Sequence, residues 1–250
     1  DRTGVIFKGR KNLNQWKSAH AIDTQHKTLA DAINNADVFL GLSAKGALTK
    51  EMVKKMAKNP IIFACANPDP EIKPEEVAEV RSDALMATGR SDYPNQVNNL
   101  IGFPYIFRGA LDVRSKTINE EMKIAAAQAI ANLAKEEVPD EVVAAMGGER
   151  PHYGKDYIIP STFDPRLISV IPAAVAKAAI DTGVARINIK DFDNYKDQLR
   201  QRLDPTVTIM QGINNYIKKK TKKVVFADGE DENMLKAAIA FKNSNLGVPI

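Results

Sequence analysis

Short apolar runs and longer amphipathic stretches alternate along the first part of the chain. The apolar runs cover residues 38–42, 61–66 and 84–87. Each run is continuous rather than alternating, which is typical of strands that are buried on both faces of a parallel sheet. Because helical stretches separate the runs, the pattern predicts an α/β fold built on part of a doubly wound parallel sheet.

Helix-start signals follow the runs. Thr49 can cap a helix over residues 51–58, and Pro74 fits the first position of the next helix. Thr117 and Glu120 have the spacing of a capping box, which predicts the start of a long amphipathic helix. Further helices are predicted over residues 103–111, from about residue 140, over residues 173–182 and within the charged stretch 188–203.

An α/β pattern begins again near the end of the chain. Residues 224–227 are predicted to form a strand, residues 228–231 a turn and residues 232–242 a helix. A strand and helix without partner strands cannot bury their apolar faces. We therefore expect this segment to be the start of a second α/β domain, and the chain to be an internal fragment cut at both ends.

Composition and charge exclude several classes of protein. The chain is 44% hydrophobic and 26% charged, with a net charge of +4, and it has no apolar run near the roughly 18 residues that cross a bilayer. The basic run at residues 218–223 lacks aromatic residues, which favours a solvated linker over a nucleic-acid patch. A single cysteine, Cys65, excludes an internal disulfide and a cysteine-rich metal site. We expect a cytoplasmic protein without a nucleic-acid or membrane partner.

Polar residues follow each predicted strand. Ser43 follows the first strand, Asn67 begins an Asn-Pro-Asp-Pro sequence after the second, and residues 88–92 follow the third. Ligands of open parallel sheets bind at the carboxyl ends of the strands, so these residues are candidates for a binding edge. Ordinary strand-to-helix turns use the same residue types, and that alternative remains open.

Residues 93–100 hold three asparagines and a glutamine directly before a predicted helix. An amide both donates and accepts hydrogen bonds, which suits a pocket for a carboxylate and a carboxamide together. The alternative is a helix cap made by Asn98 or Asn99.

Long motifs in these regions closely resemble the malic enzymes. They are FACANPDPE at residues 63–71, ATGRSDYPNQVNN at residues 87–99 and GFPYIFRGALD at residues 102–112. The opening DRTGVI is similar to the family's stretch after the second strand of the cofactor domain. The resemblance extends to about residue 185 and is closest to the large bacterial type, in which a phosphotransacetylase-like domain follows. Residues 224–231 are similar to the first strand and turn of such a domain.

The resemblance implies a Rossmann-like domain and an activity. The intact protein is expected to oxidise and decarboxylate L-malate to pyruvate and CO2 with NADP or NAD and with Mg or Mn. Four segments are implied, namely the C-terminal part of the nucleotide-binding domain (1–115), a helical part (116–185), a connector (186–222) and the truncated start of the phosphotransacetylase-like domain (223–250). An acyl-CoA effector at that last domain and a homo-oligomer are also expected.

Residue roles follow from the matched motifs. Asn67 matches the asparagine beside the nicotinamide and malate, and Asn99, less closely Asn98, matches the pair that contacts malate. Asp1 matches the acidic residue near the adenosine ribose. The candidate ligands are, for malate, Asn67, Asn98 and Asn99, and for the cofactor, Asp1, Lys8, Arg10, Ser43, Asn67 and Asn99.

Other parts of the family machinery are not expected within the chain. The sequence has no Gly-x-Gly-x-x-Gly/Ala loop, and His20, His26 and His152 are scattered. In the family, the catalytic tyrosine and lysine and the metal-binding carboxylates precede the position of Asp1. We expect no catalytic residue and no metal ligand in the chain, and no turnover by the fragment alone.

Three alternatives remain open from the sequence. In the first, the intact protein would be an acyltransferase with a residual malic part. In the second, it would be a nucleotide-binding regulatory protein without catalysis, and in the third, an amino-acid dehydrogenase with a similar cofactor domain. The last would need an ammonia-handling lysine and aspartate, which the sequence does not show.

Overall fold

The computed structural model describes residues 1–145, 149–203, 217, 222–243 and 246–250. These residues divide into two compact units, residues 1–188 and residues 189–250.

A three-stranded parallel sheet forms the centre of the first unit, with strand order β1-β2-β3. The strands are β1 (Val38–Gly41), β2 (Ile61–Ala64) and β3 (Leu85–Thr88). Val38 pairs with Ile61, and Ile61 pairs with Leu85, so the strands begin and end together. The predicted strands and their α/β arrangement are confirmed.

Short helices precede and connect these strands, and longer helices follow them. The helices of the first unit are α1 (Gln15–Ala19), α2 (Leu29–Ala32), α3 (Lys50–Lys54), α4 (Pro74–Ala78), α5 (Phe103–Asp112), α6 (Glu120–Leu133), α7 (Asp140–Ala145) and α8 (Leu167–Asp181). A 3₁₀ helix, Asn99–Ile101, directly precedes α5.

The sheet core lies on one face. Phe39 and Ile62 pack there against Val53 of α3 and Val77 of α4, all of them less than a tenth exposed. Along β1, buried and exposed positions alternate. The expectation that the strands are buried on both faces is therefore wrong for β1, because in the described residues the connecting helices cover a single face of it. Three apolar side chains stay exposed on or next to this edge strand, Val38 (55%), Leu40 (64%) and Leu42 (78%).

The structure confirms the helix starts predicted at Thr49 and Pro74 and contradicts the capping box predicted at Thr117. Thr49 caps α3 by accepting a hydrogen bond from Met52 N, as predicted, although α3 ends at Lys54. Pro74 begins α4, as predicted. The capping box at Thr117 is wrong, since the N-cap of α6 is Asn119. The Asn119 Oδ1 atom accepts from Met122 N at 3.0 Å, and its amide nitrogen donates to the Thr182 hydroxyl at 2.9 Å.

Helix α8 is the core of the helical layer. It packs against both α5 and α6 and buries Leu167, Ile171 and Val175. The sequence predicts this helix only from Ala173, yet it begins six residues earlier and continues through Pro172. The predictions of α5 and of a helix start at Asp140 are confirmed.

The second unit contains α9 (Phe192–Gln201), β4 (Lys223–Val224), α10 (Glu232–Asn243) and β5 (Val248–Pro249). β4 and β5 pair in parallel. The strand predicted over residues 224–227 is thus displaced and shorter. Four residues of the basic run, 218–221, lie outside the described residues. In the described part of the chain, no helix has the length and hydrophobicity needed to cross a membrane.

Arg81 joins the end of α3 to the start of β3. Its guanidinium donates to the carbonyl oxygens of Met56 at 3.1 Å and Ala57 at 2.8 Å, and to both oxygens of Asp83 at 2.8 Å. Asp83 also accepts a hydrogen bond from Asn59 N. The pKa of Asp83 is lowered well below its usual range, chiefly by the Arg81 guanidinium and next by the backbone N–H of Asn59.

We expect Arg81→Met to lower the free energy of unfolding by about 1–3 kcal/mol, because it leaves two carbonyl oxygens without their donor. Urea denaturation of the full-length protein would measure this loss. Lys50→Met, which removes an exposed pair with Glu79, is the control and should lose much less. Equal losses in the two variants would contradict the role of Arg81.

Because the pKa of Asp83 is lowered in the folded state, its stabilising contribution is present above about pH 4 and fades in stronger acid. Arg81→Met should weaken this acid sensitivity.

Candidate functional site

A buried carboxylate, that of Glu71, lies beneath the carboxyl edge of the sheet. Its side chain is fully buried. One carboxylate oxygen accepts hydrogen bonds from Ser43 N at 2.7 Å and Ser43 Oγ at 3.1 Å, and the other accepts from Ala66 N at 3.0 Å. Ser43 follows β1 and Ala66 follows β2, so one side chain holds the exits of both strands together.

Gly41 makes room for this carboxylate. A β-carbon at residue 41 would lie 2.5 Å from Glu71 Cδ and 2.7 Å from the Phe39 ring. Any side chain there would displace the carboxylate. The last residue of β1 therefore has to be glycine for the hydrogen bonds of Glu71 to form.

Asn67 follows Ala66 and lies at the same edge, exposed, with a cis peptide bond to Pro68. Its amide lies against Gly89, the first residue after β3. A β-carbon at Gly89 would be 3.0 Å from Asn67 Oδ1 and 3.1 Å from its Nδ2. The ends of β2 and β3 thus meet at the Asn67 amide, as the sequence leads one to expect for a binding edge.

The loop after β3 closes on itself. Thr88 Oγ1 accepts from Arg90 N at 3.2 Å, and the Arg90 guanidinium donates to both oxygens of Asp92. The Arg90 guanidinium lowers the pKa of Asp92. The Asp92 carboxylate is therefore paired within the loop, while the Asn67 side chain next to Gly89 is exposed.

Asn95 is a structural residue. It is 5% exposed, and its amide nitrogen donates to the carbonyl oxygens of Met86 at 2.9 Å and Lys155 at 2.8 Å. Its amide oxygen accepts from Ile158 N at 2.8 Å. Of the amides in residues 93–100, this one ties β3 to the loop before α8 and is not available to a ligand.

Asn98 and Asn99 follow a segment that is fixed to β3 by a hydrogen bond from Val97 N to Thr88 O at 2.7 Å. The Asn98 side chain accepts from Leu100 N at 2.9 Å and caps the 3₁₀ helix, which is the capping alternative left open by the sequence. Asn99 is the first residue of that helix and is exposed. The free amide of the pair is therefore that of Asn99.

Asp1, Arg10 and Lys17 form a charged cluster. The Arg10 guanidinium donates to both Asp1 carboxylate oxygens at 2.8 and 3.0 Å, and the Lys17 ammonium lies 2.7 Å from Asp1 Oδ2. Arg10 also donates to the carbonyl oxygen of Val5 at 2.8 Å. Lys8 is exposed. Sequence reasoning missed Lys17, because its position on the short helix α1 gives no sign of a contact with Asp1.

A cavity of about 320 Å³ opens on the outer side of the β1 and β2 exits. Its walls include Lys45, Thr49, Lys50, Asp69, Glu71 and Lys73. Burial, and then the charge of Glu71, raises the pKa of the nearby Cys65 thiol, so the thiol is protonated near neutral pH.

A family model described as the NAD binding domain of malic enzyme matches residues 1–145. The chain belongs to the malic enzyme family. The match covers the sheet, the loops at its carboxyl edge and helices α5 and α6, so every candidate site residue lies within the family's cofactor domain.

Similar proteins agree with this family. The chain is 61% identical over 251 residues to an NADP-dependent malic enzyme of Rhizobium meliloti, and 50% identical over 252 residues to an NAD-dependent malic enzyme of the same organism. All of this chain is covered in both comparisons, but only 33% of each relative. The chain therefore spans about a third of the length of these malic enzymes.

A crystal structure of the malic enzyme of Entamoeba histolytica is similar to the chain in fold. The TM-score is 0.67 at 28% identity, with 97% of this chain and 47% of the other covered. The predicted α/β class with a Rossmann-like parallel sheet is confirmed by this likeness.

We expect Asn95→Ala to lower the free energy of unfolding by about 1–3 kcal/mol, because two carbonyl oxygens and one N–H group lose their partner. Asn99→Ala, at an exposed position, should change it by less than about 0.5 kcal/mol. Chemical denaturation of both variants of the full-length protein measures the difference. A larger loss in Asn99→Ala than in Asn95→Ala would reverse the assignment of the structural and the free amide.

Proposed function

We propose that the intact protein oxidises L-malate with NADP and decarboxylates the product to pyruvate and CO2. The observation that supports this most directly is the Asn67 amide against Gly89, where the ends of β2 and β3 meet in a chain of the malic enzyme family. Gly89 lacks a side chain at this point, so a flat ring and a small dicarboxylate can approach the amide. A nicotinamide held there by the Asn67 amide would supply the hydride acceptor for malate C2.

The residues of this chain supply position rather than proton transfer. Asn67 and Asn99 hold malate and the nicotinamide carboxamide through amides that donate and accept, with Asn98 as a weaker candidate because its oxygen serves a cap. Ser43 holds the dinucleotide at the exit of β1. Fixing two reactants in contact geometry removes much of the entropic part of the barrier.

NADP is favoured over NAD by the charges around Asp1. A free carboxylate at the ribose would repel a 2′-phosphate, but two cations, Arg10 and Lys17, neutralise this one. Lys8 is exposed and adds a further positive charge for the phosphate. The NADP-dependent relative of Rhizobium meliloti is also more similar to the chain than the NAD-dependent one, at 61% against 50% identity.

Mg or Mn belongs to the proposed reaction as the family's Lewis acid. Within the described residues, no group of three His, Cys, Asp or Glu side chains is arranged to hold a metal ion. The resemblance to the family supports the proposal that the metal ligands and the catalytic tyrosine and lysine lie in other parts of the protein.

The proposed organisation of the chain comprises four segments. Residues 1–115 carry the cofactor domain, residues 116–185 its helical continuation and residues 186–222 a connector. Residues 223–250 begin a phosphotransacetylase-like domain that binds an acyl-CoA effector. The strand–turn–helix–strand order from β4 to β5 supports this α/β start. We place the protein in the cytoplasm as a homo-oligomer.

Asn67→Ala and Asn99→Ala should lower kcat/KM for malate about tenfold to a hundredfold or more, since each leaves a buried polar group of the substrate without its partner, a loss of about 1–3 kcal/mol. Steady-state kinetics of the full-length protein with malate, NADP and Mn measure this, alongside thermal melting. Asn132→Ala is the matched control, because that exposed amide accepts only a local bond from Gln128 on α6. Near-normal kinetics in both site variants with lower melting temperatures would show that the asparagines are structural.

Acetyl-CoA should change the malate kinetics of the full-length protein and leave a version that ends near Leu203 unaffected. The physical reason is that an effector acts only through a domain that binds it differently in two states. Titration of acetyl-CoA during turnover provides the measurement. Identical responses of the two proteins would remove the regulatory role of the C-terminal domain.

A further inference from the structure

The three hydrogen bonds of Glu71 come from neutral donors, namely two backbone N–H groups and one hydroxyl. A fully buried carboxylate is costly unless it accepts several hydrogen bonds in good geometry. Its neighbours on the same face of the sheet, such as Ile62 and Ala64, are apolar. An apolar residue at position 71 would therefore suit the core, and the carboxylate has to be explained by what it holds.

Glu71 holds Ser43 and Ala66, which lie at the start of the proposed binding edge. Ser43 is itself a cofactor candidate, and Ala66 directly precedes Asn67. The two oxygens of one rigid group fix these two backbones relative to each other. Because Asn67 directly follows Ala66 and its amide lies against Gly89, a shift of Ala66 also moves that amide relative to the end of β3.

We propose that Glu71 is a positioning residue of the malate reaction, which sets the exits of β1 and β2 so that Ser43 and Asn67 meet the dinucleotide and malate in one fixed geometry. The inference rests on the proposed function and adds to it a residue that contacts neither ligand. Glu71 acts through the two strand exits, since its side chain is enclosed beneath them.

Glu71→Gln is the sharpest test, because it keeps size and shape, removes the negative charge and replaces one acceptor oxygen by a donor NH2 group. A glutamine has one acceptor oxygen and one donor NH2 group. If the oxygen faces Ser43, the NH2 group opposes Ala66 N–H, and if it faces Ala66, the NH2 group opposes Ser43 N–H. One strand exit is therefore released whichever way the amide is oriented.

In full-length protein we expect Glu71→Gln to lower kcat/KM for malate about tenfold to a hundredfold, as misplacement on the scale of an ångström does. Part of the loss should appear in kcat, through Asn67. Part should appear as weaker NADPH binding, measured by the fluorescence of the bound nucleotide without turnover, through Ser43. A purely structural role would lower the melting temperature and leave both readouts unchanged.

Glu76→Gln is the matched control. Glu76 lies in the following helix, where it accepts a hydrogen bond from Lys73 N at 3.1 Å, so its replacement weakens a helix cap without touching Ser43 or Ala66. Kinetics and NADPH binding of Glu71→Gln within twofold of this control would overturn the inference.

Ser43→Ala decides the case in which Glu71→Gln does not fold, since it removes a single one of the three hydrogen bonds. Where Glu71→Gln does fold, the double variant should lose less than the sum of the two single losses, because the two side chains share one hydrogen bond. Unchanged NADPH binding and kinetics in Ser43→Ala, or strict additivity in the double variant, would count against the inference. Absence of malate turnover in the unmodified full-length protein would instead refute the proposed function.

Discussion

The arrangement of the proposed binding edge depends on the Glu71 carboxylate, which only accepts hydrogen bonds and lies where three donors converge. The Glu71 carboxylate crosses from the exit of β1 to the exit of β2, beyond the last residues that the strand ladder itself holds. Parallel strands are tied by backbone hydrogen bonds along their length but diverge where their loops begin. A buried side chain that bridges the two loops extends the order of the sheet by two residues, to the positions where ligands of such sheets bind.

Much of the sheet was predictable because its signals are local. Continuous apolar runs specify buried strands, and Thr49 and Pro74 act through bonds to residues in the same turn. Errors arose where a distant contact decides. Asn119, rather than Thr117, caps α6 while also contacting Thr182, far along the chain. Likewise, α8 continues through Pro172 because its packing against α5 and α6 outweighs the lost hydrogen bond.

The candidate site was predictable in its residue types and less so in their tasks. Spacing placed Ser43 and Asn67 at strand ends, and in the structure Glu71 accepts hydrogen bonds from Ser43 and from Ala66, the residue before Asn67. The sequence could not distinguish Asn95 from Asn99, because the Asn95 amide is buried by a loop some sixty residues away and the Asn99 amide is not. Glu71 escaped notice for the same reason, since in the sequence it is one more acidic residue before a helix. Lys17 meets Asp1 only once the chain between them has folded back.

The exposed apolar side of β1 has a consequence for handling the 250-residue polypeptide. Among the described residues β1 is an edge strand with Val38, Leu40 and Leu42 at its surface, and such a strand is a template for further strands. In a concentrated solution of this polypeptide, the same side of a second molecule is the nearest available partner. Self-association of this polypeptide through β1 would be governed by these apolar side chains and the exposed backbone of the strand rather than by the mild net charge.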